Sequence, residues 1–165
     1  MKRLATQEKT LITEPTKKRE IKAEIKKELQ PYCGKNAISL MLAQSYDSKV
    51  HDPSGWLMSE KLDGVRCYWN GEILYSRNGV KVRAPKEWTN QLPKIALDGE
   101  LWSKRDDFHN ICTIAIHKEH GYEHWKQIKY MIFDAPLVPG SFEERLATIQ
   151  LELSKTEPEN VVLIG

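Results

Sequence analysis

Cysteine is scarce in this 165-residue chain: Cys33, Cys67 and Cys112 are far apart and odd in number, and no C-x-x-C pair occurs. That excludes a disulfide-stapled secreted scaffold and fits free thiols in a reducing compartment. Long apolar runs are also lacking. No stretch approaches the ~18 apolar residues that a membrane span requires. The N-terminus, Met1 to Lys9, is charged and has no apolar core of a secretory signal. An intracellular protein without a membrane segment is therefore expected, with nucleus, organelle and cytoplasm left open.

What is present is enough for one domain with a core: 40% hydrophobic residues, among them five Trp. The net charge of +2 conceals an asymmetry. Residues 1–36 hold 10 Lys/Arg against 5 Asp/Glu, a balance of +5, and the remainder balances to −3. The sequence thus divides into a basic tail, 1–36, and a domain, 37–165. The tail reads as a charged helical or disordered leader, because such aromatic-poor stretches bury little. A polyanion-binding arm is the other reading.

Within the tail, Ile21, Ile25 and Leu29 recur at helical spacing, and Pro31 closes that stretch. A turn is expected at 32–36, a short apolar run at 39–43 and a loop at 52–55. From Trp56 to Arg83 the pattern is that of an antiparallel meander. Its first apolar piece is Trp56-Leu57-Met58, and two Asn-Gly pairs, 70–71 and 78–79, punctuate it. Asn70-Gly71 predicts a type I′ hairpin turn, which needs positive φ at both central residues. Further strands are expected at 95–102, broken by Gly99, at 128–134 and at 160–165, with a short helix or turn from Pro85. Ser141-Phe142-Glu143-Glu144 is a capping box that opens a helix to about Lys155, with Leu146, Ile149 and Leu153 on one face. An apolar strand at the very end of the chain suggests a fold interrupted midway.

The stretch with the most chemistry is Ser59-Glu60-Lys61-Leu62-Asp63-Gly64-Val65-Arg66. A lysine between two strand-like runs packs poorly, because burying an unpaired ammonium is costly. Such a position suits chemistry better, because a lysine amine in its neutral form is a nucleophile. Three more segments follow: Ser76-Arg77-Asn78-Gly79, Leu97-Asp98-Gly99-Glu100-Leu101-Trp102 and Tyr130-Met131-Ile132-Phe133-Asp134.

Lys61-Leu62-Asp63-Gly64 resembles the K-x-D-G signature of the covalent nucleotidyltransferases. The three later segments resemble the S-R-x-G, D-G-E-L and aromatic-aspartate motifs of DNA ligases, in the same order. From Ser39 onward the chain resembles the adenylation domain of an ATP-dependent DNA ligase of the small, minimal type. The resemblance implies an α+β fold: an incomplete, antiparallel-sheet nucleotidyltransferase domain of ATP-grasp-like character. It implies ATP and Mg²⁺ (or Mn²⁺) as cofactors, nicked duplex DNA as partner, no membrane and a monomer, in DNA repair, replication or recombination.

By that resemblance Lys61 attacks the α-phosphate of ATP and holds AMP as a phosphoramidate. Arg66 and Arg77 neutralise phosphate, since a guanidinium fork matches its oxygens, and one or both grip the 5′-phosphate of a nick. Asp63 orients the nucleotide or a metal, Glu100 binds the ribose or a divalent metal, and Phe133 stacks on adenine. Gly64 is expected to let the backbone approach the ligand closely. Singly, each residue has a plainer reading. Arg66 and Arg77 suit solvated strand charges, Phe133 a core position, Glu100 a turn, and Lys61 and Gly64 an ordinary hairpin.

Two features depart from this picture. After Asp134 the chain carries neither the E-G-hydrophobic motif nor the K-x-K motif of full ligases, and no OB domain follows. A truncated ligase with impaired activity is therefore expected, with a non-catalytic nucleic-acid- or nucleotide-binding remnant as the alternative. His120-Gly121-Tyr122-Glu123-His124 reads as H-x-x-E-H, a minor alternative as a zinc hydrolase with a further histidine at His117.

Overall fold

The computed structural model describes residues 40–41, 44–117 and 120–164. The helix expected at 16–29, the turn at 32–36, most of the apolar run at 39–43 and the basic tail as a whole lie outside these residues. The described elements are strands β1 (Val65–Trp69) and β2 (Leu74–Ser76), helix α1 (Lys86–Thr89), strand β3 (Leu97–Trp102) and helix α2 (Phe108–Cys112), which runs into a π-helical turn at Thr113–His117. Helix α3 (Tyr122–Trp125), strand β4 (Lys129–Asp134), helix α4 (Phe142–Leu153) and strand β5 (Val161–Leu163) complete the order.

The strands form one five-stranded sheet in the order β2-β1-β3-β4-β5. The first four are antiparallel, as the sequence pattern predicts, whereas β5 lies parallel to β4, with Tyr130 opposite Val161. A parallel neighbour needs a crossover, and α4 supplies it. Its capping box forms as expected: the Ser141 hydroxyl accepts from the Glu144 N–H at 3.3 Å, and Glu144 accepts from the Ser141 N–H at 2.7 Å. Ile149 on this helix is fully buried, and Leu146 and Leu153 pack against the same core.

Side chains alternate across a strand, so the register sorts the sheet into two faces. Val65, Cys67 and Trp69 share one face with Leu97, Leu101, Tyr130 and Ile132. They join Trp88, Trp125, Ile111, Ile128 and Ile149 in the apolar core. Trp88 and Trp125 meet edge to face with ring centres 4.9 Å apart, and the Trp88 indole donates to the Ile128 carbonyl at 3.0 Å. The opposite face carries Arg66, Tyr68, Asp98, Glu100, Met131 and Phe133.

Three local expectations are corrected. Trp56-Leu57-Met58 forms no strand: the segment from 56 to 64 has no regular structure, and these side chains are 60, 65 and 93% exposed. They find no ladder partner, and Trp56 instead meets the Tyr46 ring edge-on at 6.3 Å. The first hairpin turn is displaced by one residue. Trp69 pairs with Leu74 and the Asn70 N–H donates to Ile73, so the turn is Gly71-Glu72, and only Gly71 has a positive φ (+96°). Asn70 instead accepts from the N–H groups of Glu72 and Ile73 at 2.9 and 2.7 Å, closing the turn from its side chain. The third arm of the meander is reduced to a bridge between Tyr75 and Lys81.

Candidate active site

Adjacent strands bring the predicted residues together. Arg66 on β1 stands directly opposite Glu100 on β3, and Glu100 opposite Met131 on β4. Next to them the β3–β4 register shifts: Gly99 faces Ile132 but Asp98 faces Asp134, leaving Phe133 as the extra residue. Such a bulge re-aims a side chain, here the ring expected to stack on a base. Two adjoining cavities open on this face. One, of about 740 Å³, is lined by Lys61, Arg66, Arg77 and Glu100, with Phe108 and Cys112 beyond them. The other, of about 810 Å³, is lined by Lys61, Arg66, Glu100, Trp56 and Phe133. Lys61, Arg66 and Glu100 border both.

Lys61 is exposed, on the irregular segment before β1. Three residues later that segment is tied to β3, where the Gly64 N–H donates to Glu100 Oε1 at 2.9 Å. This contact explains Gly64. A Cβ there would collide with the Leu101 carbonyl oxygen and sit 2.8 Å from Glu100 Cγ. Gly64 thus allows a close approach to β3, which holds the lysine segment against the glutamate. Gly99 answers a similar need. A Cβ would lie 2.7 Å from the Tyr130 ring, whose hydroxyl passes beneath to donate to the carbonyls of Cys67 and Leu97 at 2.8 and 3.0 Å.

Arg66 is more committed than a phosphate-gripping fork would be. Its Nε and Nη2 donate to the two oxygens of Asp98 at 3.1 and 2.6 Å, and Nη2 also donates to the Met41 carbonyl at 2.8 Å. Its guanidinium lies 5.2 Å from the centre of the Phe133 ring, a cation–π arrangement. Only Nη1 remains without a partner among the described residues. Burial pushes the Asp98 carboxyl above its usual range while Arg66 pulls it back down. The bidentate geometry marks an ionised pair. Asp98 is the residue the sequence reading passed over. The available signal was its position two residues before Glu100 in a strand, and so on the same face.

Burial also raises the Glu100 carboxyl, opposed by the Gly64 N–H and then by the charges of Lys61 and Arg66. Tyr68, opposite Asp98, is pushed up to about 12, first by burial and then by the Asp98 charge. Arg77 is exposed beside the second hairpin turn, and its guanidinium has no partner among the described residues. Asp63 is exposed and lines neither cavity. Its charge adds to burial, the main cause, in raising Cys112 and, to a smaller extent, Glu100.

The described residues contain no cluster of three His, Cys, Asp or Glu able to cage a metal. The His120 and His124 rings are 4.8 Å apart, but helix α3 starts only at Tyr122 and Glu123 pairs with Lys126. The zinc reading therefore lacks both its helix face and its third ligand here. Glu100 keeps one carboxylate oxygen, Oε2, outside its bond to Gly64. That suits a hard cation that takes its remaining ligands from phosphates and water.

No protein-family model matches the chain. It is 41% identical over 114 residues to a DNA ligase of Haemophilus influenzae, an alignment covering 69% of this chain and 41% of that protein. A solved structure of a Lig E DNA ligase, described as binding DNA with a minimal scaffold, superposes with a TM-score of 0.70 at 32% identity. That superposition covers 76% of this chain and 50% of the other. The chain thus spans half or less of the length of these relatives. Over the matched part the chain is similar in both sequence and fold to DNA ligases, the Lig E type among them.

Proposed function

We propose that this chain is a relative of the minimal DNA ligases and carries the ATP-dependent, lysine-adenylylating part of a ligase reaction, with Lys61 as nucleophile. The observation that carries the reading is the convergence of Lys61, Arg66 and Glu100 on both cavities, with Arg77 bordering one and Phe133 the other. After the ammonium gives its proton to solvent, the Nζ lone pair forms a bond to the α-phosphorus of ATP. The bond to the bridging oxygen breaks, and pyrophosphate leaves with that electron pair. AMP remains on Nζ as a phosphoramidate. Its later transfer to the 5′-phosphate of a nick would activate that end for sealing.

Phosphoryl transfer depends mainly on positioning and charge neutralisation. Phe133 offers a flat apolar face to adenine. Arg66, locked by Asp98, offers Nη1 alone, whereas Arg77 keeps its whole fork for phosphate. Glu100 Oε2 would hold the ribose or a Mg²⁺ ion, which would neutralise triphosphate charge. Asp63, which lines neither cavity, contributes its charge rather than a contact.

The chain spans half or less of the ligases it matches, so we propose that full nick sealing draws on further preorganised groups beyond the matched part. Removing a preorganised group beside a transferring phosphate lowers rates by about 10²–10³. We also propose that the protein works inside the cell as a monomer, in DNA repair or replication.

The test is incubation with α-labelled ATP and Mg²⁺, followed by denaturing separation of the protein. Label on the wild type and none on a folded Lys61→Ala variant is expected. Equal labelling of both removes Lys61 from the mechanism. No label on either, with both folded, favours a binding remnant.

A further inference from the structure

Between Arg77 and Lys86 the chain carries four cations, Arg77, Lys81, Arg83 and Lys86, and no carboxylate. All four are exposed, and among the described residues none of their side chains has a hydrogen-bond or ion-pair partner. Three other exposed cations are paired, Arg105 with Glu60, Lys126 with Glu123 and Lys155 with Glu152, and Lys49, Lys94 and Lys129, unpaired among the described residues, stand singly along the sequence. Local topology keeps this set together. The turn at 77–79 reverses the chain, and the Ser76 N–H donates to Val80 at 2.8 Å. The return arm then runs along the outer side of β2, pinned by the Val82 N–H to the Leu74 carbonyl at 2.9 Å. Val82 is buried, so Lys81 and Arg83 on either side of it project the other way.

The arm leaves from the Lys61 end of the sheet, since Arg77 borders the nucleophile's cavity. It reaches a separate cavity of about 740 Å³ lined by Lys81, Arg83 and Lys86 together with Glu72 and Glu87. An extended chain advances about 3.3 Å per residue, so the path from Val80 to Lys86 covers roughly 20 Å. A nucleoside triphosphate is too short to meet both ends. A duplex backbone, with one charge per about 1.7 Å of axis, is not.

We propose that Lys81, Arg83 and Lys86 form a phosphate-backbone track for the duplex flank on one side of a nick, continuing outward from Arg77. The inference rests on the ligase reading of the site. It extends that reading from the reacting phosphate to the duplex beside it. The contacts are to phosphates and not to base edges, so binding is independent of sequence and steeply dependent on salt.

The test uses the full chain and the triple variant Lys81→Gln/Arg83→Gln/Lys86→Gln, whose altered side chains are all exposed. Binding to a nicked duplex is measured from about 50 to 200 mM KCl, alongside Lys61 labelling without DNA. Each lost phosphate contact reduces the log–log salt slope by about 0.9. The slope is therefore expected to flatten by about 2–3, with affinity at the low-salt end falling at least tenfold and labelling unchanged. An unchanged slope and affinity, or a wild type that labels but binds no duplex, overturns the track. A wild type that never labels, yet loses duplex binding in the triple variant, sustains the track and overturns the active-site reading instead.

Discussion

The two faces of the sheet are made by the same strands and obey different rules. On the core face, Cys67, Trp69, Leu97, Leu101, Tyr130 and Ile132 are all within 1% of complete burial and gain stability from apolar area and close packing. On the other face, Asp98 is almost as buried, yet it carries a charge that is tolerable only because Arg66 sits on it in a bidentate pair. One residue along a strand moves a side chain from one regime to the other. The core face depends mainly on volume and apolar area, with the Tyr130 hydroxyl as a polar exception. The site face depends above all on which polar atom meets which.

Substitutions can break that contrast, beginning with the largest effect. Ile149→Ala removes a fully buried side chain and is expected to cost about 2–5 kcal/mol, read as a fall in urea midpoint. The rate of Lys61 labelling in the remaining folded protein should be unchanged. A rate that falls with stability would mean that the core and the site are not separable. Asp98→Asn should do the reverse. Its main loss is expected in labelling rate, on the order of 10–100-fold as Arg66 loses its ionised partner, with a smaller fall in stability. Full activity at unchanged stability would show that Arg66 does not need Asp98 to hold its place.

Ser141→Ala tests an element outside both faces. Loss of the capping box should cost about 1 kcal/mol and leave labelling intact. The smallest effect is expected from Glu100→Gln, and it has the opposite sign. The folded-state pKa of Glu100 is raised by burial, so the folded protein binds that proton more tightly than the unfolded chain. Its contribution to stability is therefore present below the unfolded carboxyl value and lost as pH rises through the folded one. Glutamine removes the buried charge, so the variant should be slightly more stable than wild type at pH 7, and this gain should disappear below about pH 4. A gain that persists in acid would locate its cause elsewhere. Loss of labelling in the same variant would show a site residue kept at the expense of stability.

Much of the site was legible because its chemistry is written in short segments. Lys61, Arg66, Arg77, Glu100 and Phe133 were all named from local motifs, and the structure brings them to one face. Asp63, named with them, lines neither of the two cavities, and a four-residue motif does not state which way its third residue faces. Asp98 was missed for the complementary reason. Its role is to hold Arg66, and that partnership exists only once β1 and β3 are in register. The turn at Asn70 was found and misplaced by one residue, because the Asn70 side chain closes the turn by itself. Trp56-Leu57-Met58 looked like a strand because its residues suit one, yet with no edge to pair with, the segment stays irregular and lends Trp56 and Leu57 to the site's wall.

What the sequence determined by itself is what depends on neighbours a few residues away. This covers the alternation that divides each strand between two faces, the cap of α4, and the order of segments that marks the likeness to DNA ligases. Only the tertiary structure decided what depends on contacts between distant segments. The bulge that frees Phe133 is a mismatch between two strands. Gly64 and Gly99 are needed because other strands pass within a Cβ of them. Among the described residues Arg66 is locked and Arg77 free, because the buried Asp98 carboxylate of the neighbouring strand reaches one and no carboxylate reaches the other. Two arginines look alike in a motif, and they differ only when a partner more than thirty residues along the chain is folded against one of them.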